Sequence, residues 1–121
     1  IYQAKQLRLV ICSKDLRPLG LIDLYDFNPR HRRAGVGIVI SEPEDRDQGY
    51  GGESLSLLCE YAREVLQMHQ VYASVAESNT RSRHLFEKLG FLKTGVRKDW
   101  LRVSGGFQDV LFYQKILKDV H

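Results

Sequence analysis

Between Glu42 and Leu55 the chain reads EPEDRDQGYGGESL: charged residues run into three glycines within four positions, and an apolar-periodic segment begins at once. The stretch before it, Ala34-Gly35-Val36-Gly37-Ile38-Val39-Ile40, is strand-like, and so is the short Val71-Tyr72-Ala73-Ser74-Val75 further on. Between them a helix is predicted from Gly52 to about Met68. Leu55, Leu58, Ala62, Val65 and Leu66 trace one face of it, and Leu57 and Tyr61 broaden that face. Strand, glycine loop, helix and strand form a βαβ unit, which requires parallel pairing through a right-handed crossover.

The other elements are arranged around that unit. Leu7 to Cys12 is β-like, and Pro18 and Gly20 supply turn chemistry for a hairpin into Leu21 to Phe27. The apolar residues of that second strand do not alternate cleanly, which leaves a bulge or a two-sided strand open; Asn28-Pro29 ends it. Asn79-Thr80-Arg81-Ser82 caps a second helix whose buried stripe is Leu85, Phe86 and Leu89, with Gly90 as its C′ glycine. Two extended segments, about Gly95 to Val103 and Phe107 to Ile116, close the chain around a Ser104-Gly105-Gly106 turn. The order β-β-β-α-β-α-β-β gives a mixed α/β (α+β) fold with an antiparallel front half.

At 121 residues, 43% hydrophobic and 27% charged, the chain suits one domain, residues 1–121. A net charge of +3 leans basic without demanding nucleic acid, and the densest run, Arg30-His31-Arg32-Arg33, reads as a solvated loop. No nucleic-acid partner is expected. No apolar run is long enough for a membrane span, and Ile1 to Gln6 do not resemble a signal peptide. Cys12 and Cys59, each within an apolar segment, read as buried free thiols of a cytoplasmic protein. No metal is expected.

The first N–H groups of a helix have no intrahelical partner, and the helix dipole favours negative charge there. Glycines at 49, 51 and 52 tolerate positive φ and leave no Cβ between backbone and ligand. A pyrophosphate cradle is one reading; a bare turn before a helix is the other. The nucleotide P-loop is excluded because no Lys-Ser/Thr pair follows the glycines. The dinucleotide fingerprint is excluded because Ser54 stands where its last glycine belongs.

What remains, Arg46-x-x-Gly49-x-Gly51, resembles the acetyl-coenzyme A loop of the GNAT superfamily of N-acetyltransferases. Asn79 to Phe91 is similar to that family's Asn-x-x-Ala/Ser-x-x-Leu-Tyr-Glu-x-x-Gly-Phe segment, at the family's separation from the loop. Ser104 to Val110, Gly20 to Leu24 and His31 to Ala34 look like the spermidine/diamine and ribosomal-protein N-terminal acetyltransferase branch. The resemblance implies a GNAT fold, a mostly antiparallel central sheet with helices on both faces. A first strand and front helices that family members usually carry before Leu7 are not expected in this chain.

It also implies acetyl transfer from acetyl-CoA to an amine, either a small polyamine or a protein N-terminus, with homo-oligomerisation possible in the branch. By resemblance, the backbone of Ile38, Val39 and Ile40 pairs with the pantetheine arm, and the strand splays from its neighbour to open the slot. Amides of Gln48, Gly49, Tyr50, Gly51, Gly52 and Glu53 bind the pyrophosphate, with Arg46 adding charge. Asn79 and Ser82 meet the pantetheine, and Arg83 or Lys88 the nucleotide phosphates. Asp23 is the candidate base or acceptor ligand, with Asp26 and Glu77 as alternatives. The branch's usual thiolate-protonating Tyr is replaced by Phe86, and Gly35 stands where the branch often has Glu. Tyr50 and Tyr113 are then possible donors, each otherwise a packed aromatic. The competing reading is a module that binds acyl-CoA without catalysis.

Overall fold

The computed structural model describes residues 6–40 and 49–118. Six strands and two helices follow in the order β1 (Gln6–Cys12), β2 (Pro18–Asn28), β3 (Arg33–Ile40), α1 (Tyr50–Glu64), β4 (Gln70–Ala76), α2 (Thr80–Lys88), β5 (Leu92–Val103) and β6 (Gly106–Ile116). They form one sheet in the order β1-β2-β3-β4-β6-β5. Every neighbouring pair is antiparallel except β3 and β4, the strands joined through α1.

Local sequence accounts for most boundaries. The Asn79 side chain accepts from the Ser82 N–H at 3.1 Å and so caps α2. Gly90 follows the helix at φ 89°, where a Cβ would be strained. Asp26, at φ 52°, opens a bulge in β2 between Tyr25 and Asn28, which explains the broken alternation there. Gly20 departs from its turn reading. The turn is made by Ser13 to Arg17, with the Ser13 N–H bonded to the Arg17 carbonyl at 2.9 Å, and Gly20 lies within β2 opposite Ile40.

Helix α1 stops at Glu64, short of Met68, because Gln67 turns to φ 57° and the Met68 N–H returns to the Ala62 carbonyl at 2.9 Å. Val65 is therefore 61% exposed and leaves the apolar stripe. Leu55, Leu58, Cys59 and Ala62 of α1 join Phe86 of α2 in one buried cluster with Ile22, Leu24, Val36, Val71, Ala73, Val75, Leu111 and Tyr113. Each fully buried leucine there contributes roughly 1.5–3 kcal/mol. Both helices lie on that face of the sheet. On the other face the described residues include no helix, and Tyr25, Tyr72 and Phe112 form a row of ring contacts. Cys59 is buried, but Cys12, at the end of the edge strand β1, is exposed.

Candidate functional site

Strands β3 and β4 are paired over only three rungs, Arg33 with Gln70, Ala34 with Val71, and Gly35 with Tyr72. Beyond Gly35 the seam opens, while β3 continues to Ile40 on its β2 side and β4 to Ala76 on its β6 side. A slot of about 270 Å³ occupies the opening, lined by Ile38, Val39 and Ile40 on one wall and Asn79, Arg81, Ser82 and Leu85 on the other. One edge of β3 thus offers free backbone donors and acceptors to whatever enters.

The start of α1 closes the head of this slot. A Cβ on Gly51 would stand 3.4 Å from Leu85 Cδ2 and 3.7 Å from Ile38 Cδ1, so the helix begins against both walls. Gly49 is its N-cap at φ 86°, and among the described residues no side chain caps the first turn. The amides of Tyr50, Gly51 and Gly52 stand in that uncapped turn, a natural place for an anion. The Glu53 N–H is already engaged with the Gly49 carbonyl at 3.0 Å. Arg46 and Gln48 lie outside the described residues.

Of the remaining candidates, Asn79 and Ser82 meet in the slot with Ile38, Val39 and Ile40; Arg83, Phe86 and Lys88 do not. Arg83 turns inward, donating Nη1 to the Glu77 carbonyl at 3.1 Å, and its buried Nε has no partner among the described residues. Lys88 is exposed in the last turn of α2. Phe86 is 3% exposed, edge-on to Phe91 at 4.9 Å and stacked on Tyr113 at 6.4 Å. The ring at the position of the family's donor tyrosine is therefore a core residue. Arg81, one residue before Ser82, is a slot residue that sequence reading did not single out, and Leu85, read there as part of the buried stripe, also lines the slot.

Nor do the proposed replacement donors sit at the slot. Tyr113 gives its hydroxyl to Glu87 Oε2 at 2.7 Å. Burial and then the Glu87 bond push that phenol up, with Arg83 opposing. Tyr50 is half-buried against the core at the start of α1. Asp23 stands on the helix-free face, both carboxylate oxygens accepting from Arg8 at 2.9 and 3.0 Å. Asp26 is exposed at the β2 bulge, and the Glu77 N–H bonds the Asp109 carbonyl at 3.0 Å.

A larger hollow, about 790 Å³, lies between α1, the start of β5 and the end of β6. Lys115 and Leu117 line it together with Cys59, and the Lys115 ammonium is already spent on the Leu89 carbonyl at 2.6 Å. Nothing there converges on a ligand as the slot does. In the basic run, Arg32 Nε donates to the Gln67 carbonyl at 2.7 Å, tying the β2–β3 turn to the end of α1.

Comparison with known proteins bears on this geometry. A family model described as an acetyltransferase (GNAT) domain matches residues 1–92. The spermidine N(1)-acetyltransferase of Vibrio cholerae is 29% identical over 110 residues, covering 91% of this chain and 63% of that protein. Its Escherichia coli K12 namesake is 29% identical over 92% of the chain and 59% of the relative. The chain therefore spans about three fifths of the length of these relatives. The crystal structure of the Vibrio cholerae enzyme with CoA and spermine superposes with a TM-score of 0.87 at 27% identity, over 93% of this chain and 66% of that one.

Proposed function

The chain belongs to the GNAT acetyltransferase family, and from that premise we propose that it transfers acetyl from acetyl-CoA to a primary amine. A polyamine such as spermidine is the first acceptor to test, since relatives at 29% identity carry that name. A protein N-terminus is the second. The observation that carries the proposal is the opened β3–β4 seam. A pantetheine-sized slot with a free strand edge leads to an uncapped, glycine-started helix that suits a pyrophosphate.

The chemistry asks for a neutral amine, a polarised thioester carbonyl and a proton for the departing thiolate. In this reading Ile38, Val39 and Ile40 hold the arm by backbone bonds, and Asn79 and Ser82 face it from α2. Gly49, Tyr50, Gly51 and Gly52 take the pyrophosphate, and Arg46 and Gln48 complete that loop. Asp23, whose two oxygens accept from Arg8, is taken as the ligand for the acceptor ammonium, with the base role as its alternative.

Further parts of the reading concern assembly and place. The Vibrio cholerae enzyme is described as dodecameric in a structure matching this chain with a TM-score of 0.86, and we take this chain to form a homo-oligomer also. Residues 1–121 are taken as a single domain, because one buried cluster joins both helices to the sheet. Two free thiols suit a reducing cytoplasm. None of the described helices is long and apolar enough to cross a membrane.

Calorimetry with acetyl-CoA, combined with free-thiol release over a panel of polyamines and peptide N-termini, tests the function. Tight binding with no turnover on any amine would replace it with the second reading, a non-catalytic acyl-CoA-binding module. That reading is favoured by one observation, the buried hydrocarbon ring of Phe86.

A further inference from the structure

We infer that the Tyr25 hydroxyl protonates the departing thiolate in the transfer proposed above, on which this assignment rests. Tyr25 of β2 pairs with Gly35 of β3, and Gly35 pairs with Tyr72 of β4. These three residues make the last rung before the seam opens. The Tyr25 ring does not stay over its own strand. A Cβ built on Gly35 would fall 2.4 Å from Tyr25 Cε2 and 2.5 Å from Cζ, so the carbon bearing the hydroxyl lies over β3. The same ring reaches toward Gly37, where a Cβ would be 3.9 Å from Cε1.

A glycine at 35 in the middle of a strand, costly for β structure, thereby acquires a reason. Any side chain at 35 would expel the ring. From its place over β3, the phenol ring meets Tyr72 edge-on, with ring centroids 6.3 Å apart and planes at 84°. Tyr25 is not a wall of the slot; its ring lies beside the vertex of the V, on the face opposite α2, where the seam opens next to it. The slot opens on the α2 side, so the reacting carbon of a bound thioester and the Tyr25 hydroxyl converge on the vertex from opposite faces. Asp23 shares this face, its strand partner being Gly37, so an ammonium-bearing acceptor arrives on the side where the phenol waits.

The ionisable surroundings keep that phenol a donor. Tyr25 is raised above its ordinary value, first by burial and then by Tyr72, Asp26 and Asp23. Tyr72 is likewise raised, chiefly by burial and by Asp26, with Arg33 opposing. Arg8 pairs with Asp23 from β1. At neutral pH both phenols are protonated.

The step balances as follows. The neutral amine nitrogen attacks the thioester carbonyl, the C–N bond forms, and the C–S bond breaks with its electron pair leaving on sulfur. The sulfur takes the Tyr25 proton and becomes a thiol. The proton lost by the nitrogen returns to the phenolate, directly or through water. No oxidant, reductant or further reactant enters.

The test is steady-state kinetics of the full chain with acetyl-CoA and spermidine across pH, for wild type, Tyr25→Phe and Tyr72→Phe. Tyr25→Phe keeps the ring over Gly35, so calorimetric affinity for CoA should stay within about twofold while kcat falls about 10²-fold. The alkaline limb of kcat, set by a raised phenol, should be lost in Tyr25→Phe and persist in Tyr72→Phe, displaced to lower pH because Tyr72 helps to raise that phenol. Protein grown on 3-fluorotyrosine, whose phenol is more acidic, should show that limb displaced to lower pH, and Tyr25→Phe should abolish the displacement. A Tyr25→Phe kcat within threefold of wild type, or a loss of CoA affinity equal to the loss of activity, would overturn the assignment and leave the proposed function standing. A wild type that binds acetyl-CoA but acetylates no amine would remove both.

Discussion

Replacing Gly20 by alanine tests whether β3 is held where the slot needs it. Gly20 pairs with Ile40, and a Cβ there would lie 2.0 Å from the Val39 carbonyl oxygen, 2.9 Å from Ile40 Cα and 3.0 Å from the Val39 carbonyl carbon. All three atoms are backbone, so no rotamer relieves the clash. Against an ordinary contact of about 3.5 Å, the shortfall is on the order of 1 Å or more. The end of β3 must retreat from β2, and the direction open to it is into the slot that Val39 and Ile40 line. Overpacking of this kind costs roughly 1–3 kcal/mol. The gain from replacing a strand glycine offsets about 0.5–1 kcal/mol of that. A net loss of about 1–2 kcal/mol lowers the melting temperature by roughly 5–10 °C in a domain of this size. Acetyl-CoA affinity should fall at least about tenfold, equivalent to about 1.4 kcal/mol. Gly37→Ala is the control for the melt, since nothing comes nearer than 3.9 Å to its Cβ. Thermal melting and calorimetry read the outcome. A Gly20→Ala protein that melts and binds like wild type would show that β3 is not clamped by β2 at this rung.

Other substitutions probe the chemistry and the core. Phe86→Tyr places a hydroxyl in a cluster with Phe91 and Tyr113; an unpaired buried hydroxyl costs about 1–3 kcal/mol, read as a lower melting temperature with no gain in turnover. Increased turnover would mean that the ring edge reaches the sulfur and that Tyr25 is dispensable. Asp23→Asn should raise the acceptor KM about tenfold while kcat stays within threefold, as expected for a substrate ligand; a collapse of kcat alone would make Asp23 the base. Burial raises the Cys59 thiol, whereas Cys12 is exposed. A thiol reagent near pH 8 should therefore modify one cysteine quickly and the second only on unfolding. Two fast thiols would contradict the packing of α1.

The parts of this fold readable in the sequence are those whose cause is local. Asn79 and Gly90 bracket α2 because capping and a left-handed C′ residue are decided within a few positions. The β5–β6 hairpin follows from Gly105, at φ 85°. The slot was legible because its walls are contiguous motifs, Ile38 to Ile40 and Asn79 to Ser82. What escaped depends on partners distant in the chain. Gly20 looks like a turn residue until β3 is laid against it. Arg83 looks like a phosphate ligand until Glu77 and Tyr113 draw it inward. Phe86 reads from the sequence both as part of the buried stripe of α2 and as a catalytic gap, and the stacking on Tyr113 from β6 places it in the core. Gly35 reads as a missing acid, whereas across the sheet it is the floor beneath Tyr25.

The brief pairing of β3 with β4 has a thermodynamic corollary. With only three rungs across that seam, the sheet is two half-sheets, β1 to β3 and β4 to β5, joined by a short weld and by α1. A ligand lying in the slot acts as a splint, adding backbone bonds where the protein has none of its own. Its contribution scales as RT ln(1 + [L]/Kd), about 2.7 kcal/mol at a hundredfold excess over Kd. Amide exchange along Val36 to Ile40 should then slow with coenzyme concentration before it slows anywhere else, so that the rigidity of the sheet reports the supply of its own substrate.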